Sequence, residues 1–251
     1  MKSWNEGVNV TLVLEDAREF VVPIFDVATN DDRTGVLLES RTFLGTAFFV
    51  TRQGDALTAA HVLPKPDQLE RKRQVIAVVQ VDGEQQVCWI THFVAFAGCD
   101  VALLHVNVAR TKFLHTSDED VSAGEDIQLI GVPNFELWNS GKEMRMLKGH
   151  VTHASSQLEL SMPIPRGMSG SPVMLGTRVI ACATGNVRSE EVEDYHEVVE
   201  TISNTQERIE ITKSSRVVEY GLAFPLAKLR GQRESVLDGM DLLSFIRARN
   251  R

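Results

Sequence analysis

Over the first three quarters of the chain, apolar residues fall in short runs or strict alternation, and helical spacing is absent. Val8, Val10, Leu12 and Leu14 alternate with polar or smaller residues, the period of two that a half-buried strand requires. Gly45 to Val50 (GTAFFV) is an apolar run of strand length, followed by a turn at Gln53-Gly54-Asp55. Residues 74–81 and 85–91 flank Asp82-Gly83, a dipeptide that tolerates the left-handed backbone of a two-residue hairpin. Further strands are predicted over 101–108, 127–132, 158–160, 172–175 and 178–184. Many short strands at close spacing predict an antiparallel sandwich or barrel rather than a parallel α/β sheet.

Two segments break the rhythm. After Pro225, Val236, Met240 and Leu243 follow i, i+4, i+7 spacing, Ile246 extends the stripe and Leu237 lies beside it, which predicts a C-terminal helix capping the barrel. Gly239 weakens that helix by about 1 kcal/mol relative to alanine. Residues 188–210 carry eight acidic and two basic side chains, a local charge of −6. They read as a solvated loop or exposed helix, or as a partner-binding insertion beside the strand at 183–186.

Composition sets the remaining bounds. With 251 residues, 43% of them apolar, the chain can bury a full core as one large domain without disulfide or metal staples. The 26 basic residues against 34 acidic ones give a net charge of −8, which disfavours nucleic acid as a partner. No apolar run reaches membrane-spanning length, and Glu6, Glu15 and Asp16 interrupt any secretory leader, so a cytoplasmic location without membrane contact is expected. Cys88, Cys99 and Cys182 are odd in number and lack C-x-x-C spacing. Reduced thiols are the expectation and one disulfide the alternative.

Three strand-end segments carry residues suited to nucleophilic catalysis. Leu57-Thr58-Ala59-Ala60-His61-Val62 runs a strand into a small-residue turn that presents an imidazole. Cys99-Asp100-Val101-Ala102-Leu103-Leu104 puts an acid at the head of an apolar strand, and Pro165-Arg166-Gly167-Met168-Ser169-Gly170-Ser171-Pro172 puts a serine in a glycine-flanked turn. A serine hydroxyl needs a neutral imidazole as general base, and that imidazole needs a carboxylate to fix its tautomer. Glycines around Ser169 allow a tight turn whose amides, drawn from Gly167, Met168 and Ser169, converge as an oxyanion hole. His92, His105, His115, His150, His153 and His196 are rival histidines, Asp67 and Asp82 rival acids, and Ser171 a rival nucleophile. His150 and His153 have no companion at metal-ligand spacing, so neither metal nor cofactor is expected.

The order His61, Asp100, Ser169 is that of the chymotrypsin-fold serine proteases. The sequence resembles the bacterial trypsin-like and HtrA-like members of that family. GTAFFVTRQGDALTAAHVL (45–63) is similar to their histidine block, CDVALLHV to their aspartate region, AGEDIQLIGVP (123–133) to the strand opening their second barrel, GMSGSPVM to their nucleophile block and GLAFP to the strand before their C-terminal helix. The resemblance implies an all-β fold of two six-stranded antiparallel barrels with a C-terminal α-helix. Residues 1–115 would hold His61 and Asp100, 116–225 Ser169 and the acidic insertion, and 226–251 the helix. It implies a serine endopeptidase acting on protein or peptide through an acyl-enzyme, with a specificity pocket lined by Pro163, Ile164, Arg166, Ala183, Thr184, Gly185 and Gly221. Pro163 stands where selectivity for Lys or Arg would need an aspartate. Ile164, Ala183 and Ala223 point to a neutral pocket, and an inward Arg166 would admit acidic side chains. Ser171 replaces the usual second glycine, and neither an Ile-Val-Gly-Gly-like new terminus nor a PDZ module is expected. Alternative readings are a conditionally inactive scaffold module with a regulatory protein partner, and a non-proteolytic acyl hydrolase.

Overall fold

Six strands rich in β-branched and aromatic residues close the first barrel: β1 (Val21–Thr29), β2 (Val36–Phe49), β3 (Asp55–Thr58), β4 (Arg73–Val81), β5 (Glu84–Ala95) and β6 (Ala102–Val106). All pairings are antiparallel, in the order β1-β2-β3-β6-β5-β4. The computed structural model describes residues 17–30, 36–65, 73–108, 111–133, 144–203, 206–231, 237 and 239–250. Ile24, Phe48, Leu57 and Leu104 are fully buried in the first barrel. Asp82 and Gly83, at φ 51° and 87°, make the left-handed β4–β5 turn that the dipeptide predicts. β1 is not foreshadowed by the apolar pattern, because Pro23 interrupts it; a strand accepts proline only where no ladder N–H is required.

The second sheet contains β7 (His115–Thr116), β8 (Asp126–Gly131), β9 (Arg145–Ala154), β10 (Leu158–Leu160), β11 (Pro172–Leu175), β12 (Arg178–Ser203) and β13 (Gln206–Pro225). Six of these strands run β11-β8-β9-β10-β13-β12 and are closed by β11–β12 pairing, while β7 adds a short parallel pairing to β12. The two six-stranded antiparallel barrels agree with the expected fold class. His115, assigned by sequence to the end of the first unit, pairs with Arg178 and so belongs to the second sheet.

The acidic segment corrects one expectation. It is neither a loop nor a helix: β12 and β13 continue beyond the pair Asn186–Gly221 to Ser203–Gln206 as a two-stranded ribbon of roughly 50 Å. Val192, Val198, Val199, Ile209, Ile211, Val217 and Val218 supply the strand-forming content that the charge count obscures.

The C-terminal helix is also shorter than its sequence stripe. After a 3-10 turn at Leu226–Leu229, α1 spans only Leu242–Arg249. Gly239 takes φ 71°, outside the helical region, and Asp241 caps the helix by accepting from the Ser244 amide at 3.1 Å. Met240 therefore precedes the helix, and Val236 lies outside the described residues, as do the predicted strand at 8–14 and Asp67. Leu242, Leu243, Phe245 and Ile246 pack into the first barrel's core, and Asn250 donates to the Val50 carbonyl at 2.8 Å. The three cysteines are free thiols. Among the described residues no helix is long and apolar enough to cross a membrane.

Candidate active site

His61 owes its position to the register of β3 on β6. Thr58 pairs with Ala102, so the chain leaving β3 and the chain approaching β6 emerge at one end of the first barrel. There a 3-10 turn at Ala60–Val62 presents the exposed imidazole, while the Phe96 amide donates to the Val101 carbonyl and holds the loop carrying Asp100. Asp100 grips His61 twice. Its Oδ1 accepts from the His61 backbone amide at 2.8 Å, and its Oδ2 lies 2.6 Å from Nδ1. An ionised carboxylate only accepts, so the network assigns the proton to Nδ1 and leaves Nε2 as the free base. The hydrogen bond to Asp100 raises the His61 pKa above its usual 6.5; burial opposes the shift and the Asp100 charge adds to it.

Ser169 follows a type II turn. The Met168 amide donates to the Pro165 carbonyl at 3.0 Å and Gly167 takes φ 95°, the positive value that this turn demands of its third residue. A side chain on Gly167 would also approach the Pro133 carbonyl within 2.6 Å. The Met168 N–H is thereby committed to the turn, which removes it from the expected oxyanion hole. Among the described residues neither the Gly167 nor the Ser169 N–H has a protein acceptor. Beyond the serine, Gly170 at φ 88° donates to the Ala183 carbonyl at 2.7 Å, and the Ala183 amide donates to the Ser171 carbonyl at 2.9 Å.

Thr46, which sequence reasoning missed, ties the two barrels at this point. Its amide donates to the Ser169 carbonyl at 3.0 Å, its hydroxyl donates to the Gly167 carbonyl at 3.0 Å, and that hydroxyl accepts from the Val132 amide at 3.2 Å. Gly45 explains the close approach: a Cβ there would lie 2.9 Å from the Ser169 carbonyl and 3.0 Å from Val62, the neighbour of His61. The Ser169 carbonyl and Val62, which follows His61, thus both pack against Gly45 at the seam between the barrels. No hydrogen bond joins Ser169 Oγ to His61 Nε2 among the described residues.

The trypsin-like peptidase domain family matches residues 45–181, more than half of the chain. The chain belongs to that family. Among solved structures, kallikrein-related peptidase 10 in a complex with Zn2+ is similar at a TM-score of 0.54 and 14% identity, over 85% of this chain and 92% of that one, a likeness of fold. A search of curated proteins found no significant match.

The rivals have other places in this trypsin-like peptidase. His105 donates from Nδ1 to Asp55 Oδ1 at 2.8 Å and stacks on His92 at 5.0 Å between centroids. This second His–Asp pair serves structure, since Thr51 also donates to Asp55 at 2.8 Å and Arg249 from α1 stands 3.7 Å away. His150 and His153 are exposed on β9, His115 packs edge-on against Phe113, and Asp82 sits in the hairpin turn. Ser171 is fully buried and its Oγ, which faces Gly131, has no hydrogen-bond partner among the described residues, while its amide donates to the Met168 carbonyl at 3.1 Å. Burial pushes the Cys182 thiol well up, helped by the nearby charges of Asp100 and Cys99, so it is no nucleophile near neutral pH.

Around the expected pocket, Pro163 and Arg166 are exposed while Ile164 and Ala183 are buried. Thr184 Oγ1 donates to the Leu222 carbonyl at 3.2 Å, and a bulge at Thr184–Gly185 interrupts the β12–β13 register before Asn186 pairs with Gly221. Asn186 reaches across to Ile164: its Oδ1 accepts from the Ile164 amide at 2.6 Å and its Nδ2 donates to the Ile164 carbonyl at 2.8 Å.

Proposed function

We propose that this trypsin-like peptidase is a serine endopeptidase that hydrolyses peptide bonds of protein substrates through Ser169, His61 and Asp100. The observation that carries the reading is the double grip of Asp100 on His61, which holds the ring proton on Nδ1 and leaves Nε2 able to accept one. In the proposed mechanism His61 Nε2 takes the Ser169 proton as Oγ attacks the carbonyl, and the amides of Gly167 and Ser169 stabilise the oxyanion. Asp100 stabilises the imidazolium, which then protonates the leaving amine. Water releases the acyl group by the same steps in reverse. The buried Ile164, Ala183 and Ala223 favour a neutral side chain before the scissile bond, and the exposure of Arg166 gives no support for an acidic one.

Only neutral His61 can act as the base, so kcat/KM is expected to fall as pH drops through the His61 pKa. Because Asp100 raises that pKa, the inflection should lie above 6.5, the usual histidine value. A steady-state pH series on a peptide ester, with the acylation step limiting, measures it. An inflection below 6.5 contradicts the proposed role of Asp100.

The ribbon supports a second element of the reading, regulation by a protein partner. Asn186 and Gly221, at its root, belong to the pocket region, and beyond that pair its two strands pair only with each other among the described residues. An isolated two-stranded ribbon is marginal in water, and the segment 188–210 has a sequence charge of −6, which suits a basic partner. Replacing residues 189–217 by an Asn-Gly turn is expected to change kcat/KM several-fold, because the strands run directly into the pocket wall. An unchanged value in a folded variant removes the ribbon from control of the site.

A further inference from the structure

The Thr184–Gly185 bulge has a consequence for side-chain direction. In an uninterrupted strand Asn186 would share the face of Thr184, three residues being out of phase with Ala183. Because two residues oppose Leu222 at the bulge, Ala183 pairs with Ala223 and Asn186 with Gly221, placing Asn186 on the same face as Ala183. That face looks toward Ile164, and the carboxamide closes onto both polar groups of the Ile164 backbone. Only one orientation of the amide satisfies both contacts, since oxygen must face the N–H and nitrogen the carbonyl.

Ile164 itself is only 4% exposed and packs against Gly221, where an added Cβ would lie 2.9 Å from its Cγ1. The location matters because of what a substrate must do to react. Its carbonyl carbon must sit at Ser169 Oγ with its oxygen toward the Gly167 and Ser169 amides. On the proposed mechanism, the side chain on the preceding carbon would extend toward the expected pocket residues, on the segment leading into the nucleophile, 163–166, and on the strand 183–186, whose Ala183 carbonyl accepts from Gly170. The exposed Asn186 bridges these two segments through its two hydrogen bonds to Ile164, whose side chain is buried against Gly221.

We propose that Asn186, clasped on Ile164, sets the primary specificity of the enzyme to cleavage after glycine or alanine. The proposal rests on the serine-endopeptidase reading and narrows its neutral preference to the smallest side chains. A larger aliphatic group meets the carboxamide, and moving the carboxamide leaves the buried Ile164 N–H and carbonyl unpaired. Asn186 is a specificity-determining residue here, with no part in proton transfer.

The test uses the full chain and a series of peptidyl diphenyl phosphonates that differ only in the residue before the phosphorus: glycine, alanine, valine or leucine. Second-order inactivation rates are read by loss of labelling with a small fluorophosphonate and by intact mass. For the wild-type protein the alanine reagent is expected to react at least about tenfold faster than the leucine reagent. Asn186→Ala should level or reverse that ratio. Asn186→Ser, which shortens the side chain and keeps a single hydrogen-bonding group, should give an intermediate ratio and covers the case in which the alanine variant does not fold. Equal or faster reaction of the leucine reagent with the wild-type protein overturns the clasp, as does an unchanged ratio in both variants. Failure of the small fluorophosphonate to label folded wild-type Ser169 overturns the endopeptidase reading itself, whereas labelling without side-chain selectivity overturns only the clasp.

Discussion

Ser169→Ala is expected to lower kcat by about 10⁶-fold and to abolish fluorophosphonate labelling, with the thermal unfolding midpoint unchanged. The size follows from the proposed division of labour. Without Oγ there is no acyl-enzyme, and His61 has no hydroxyl to deprotonate; the Gly167 and Ser169 amides and the binding groove still favour the tetrahedral geometry for direct attack by water. The backbone around the serine should be indifferent to the change. Its amide and carbonyl neighbours are fixed by Thr46, Gly170 and Ala183, none of which uses the serine hydroxyl. Single-turnover and steady-state assays on one peptide substrate measure the loss. Activity within tenfold of the wild type assigns the chemistry to another residue.

Asp100→Asn should cost about 10⁴-fold in kcat while leaving substrate affinity nearly unchanged. Asparagine is almost isosteric and can still accept from the His61 amide, so the turn at Ala60–Val62 should persist. What changes is the partner of Nδ1. An amide nitrogen in the Oδ2 position donates to Nδ1 and forces the ring proton onto Nε2, the atom that must act as base. The change also removes both causes that raise the His61 pKa, the hydrogen bond and the charge of Asp100, so the inflection of any residual activity should move down. Kinetics with a pH series measure both effects. A variant with wild-type kcat and an unmoved inflection would show that Asp100 plays no part in preparing the base.

The legible parts of this fold were those written in local pattern. The Asp82-Gly83 hairpin, the run GTAFFV and the strands at 158–160 and 172–175 follow from turn chemistry and apolar content within a few residues. His61, Asp100 and Ser169 were likewise visible as residue types in fitting strand-end contexts. The pattern failed where a tertiary or backbone effect overrode composition. Eight acidic residues in 188–210 suggested a solvated loop or an exposed helix, yet the interleaved β-branched residues form a ribbon. The helical stripe starting at Val236 overstated α1 because Gly239 adopts a left-handed backbone and Asp241 caps later. Two contributors to the candidate site had no sequence signal. Thr46 is one more polar residue in an apolar strand until Ser169 and Gly167 are brought against it, and the direction of Asn186 depends on a bulge that only the β12–β13 register reveals. The Met168 amide illustrates the same limit, since proximity to the serine suggested an oxyanion donor while the turn claims its proton.

The central claim is that one serine, prepared by His61 and Asp100, carries the chemistry. Its most direct test is peptide mapping of the full chain after reaction with a fluorophosphonate. The account predicts a single adduct, on Ser169, at a rate that falls when His61 is replaced by alanine. An adduct on Ser171, or no adduct on a folded protein at a pH where His61 is neutral, contradicts it.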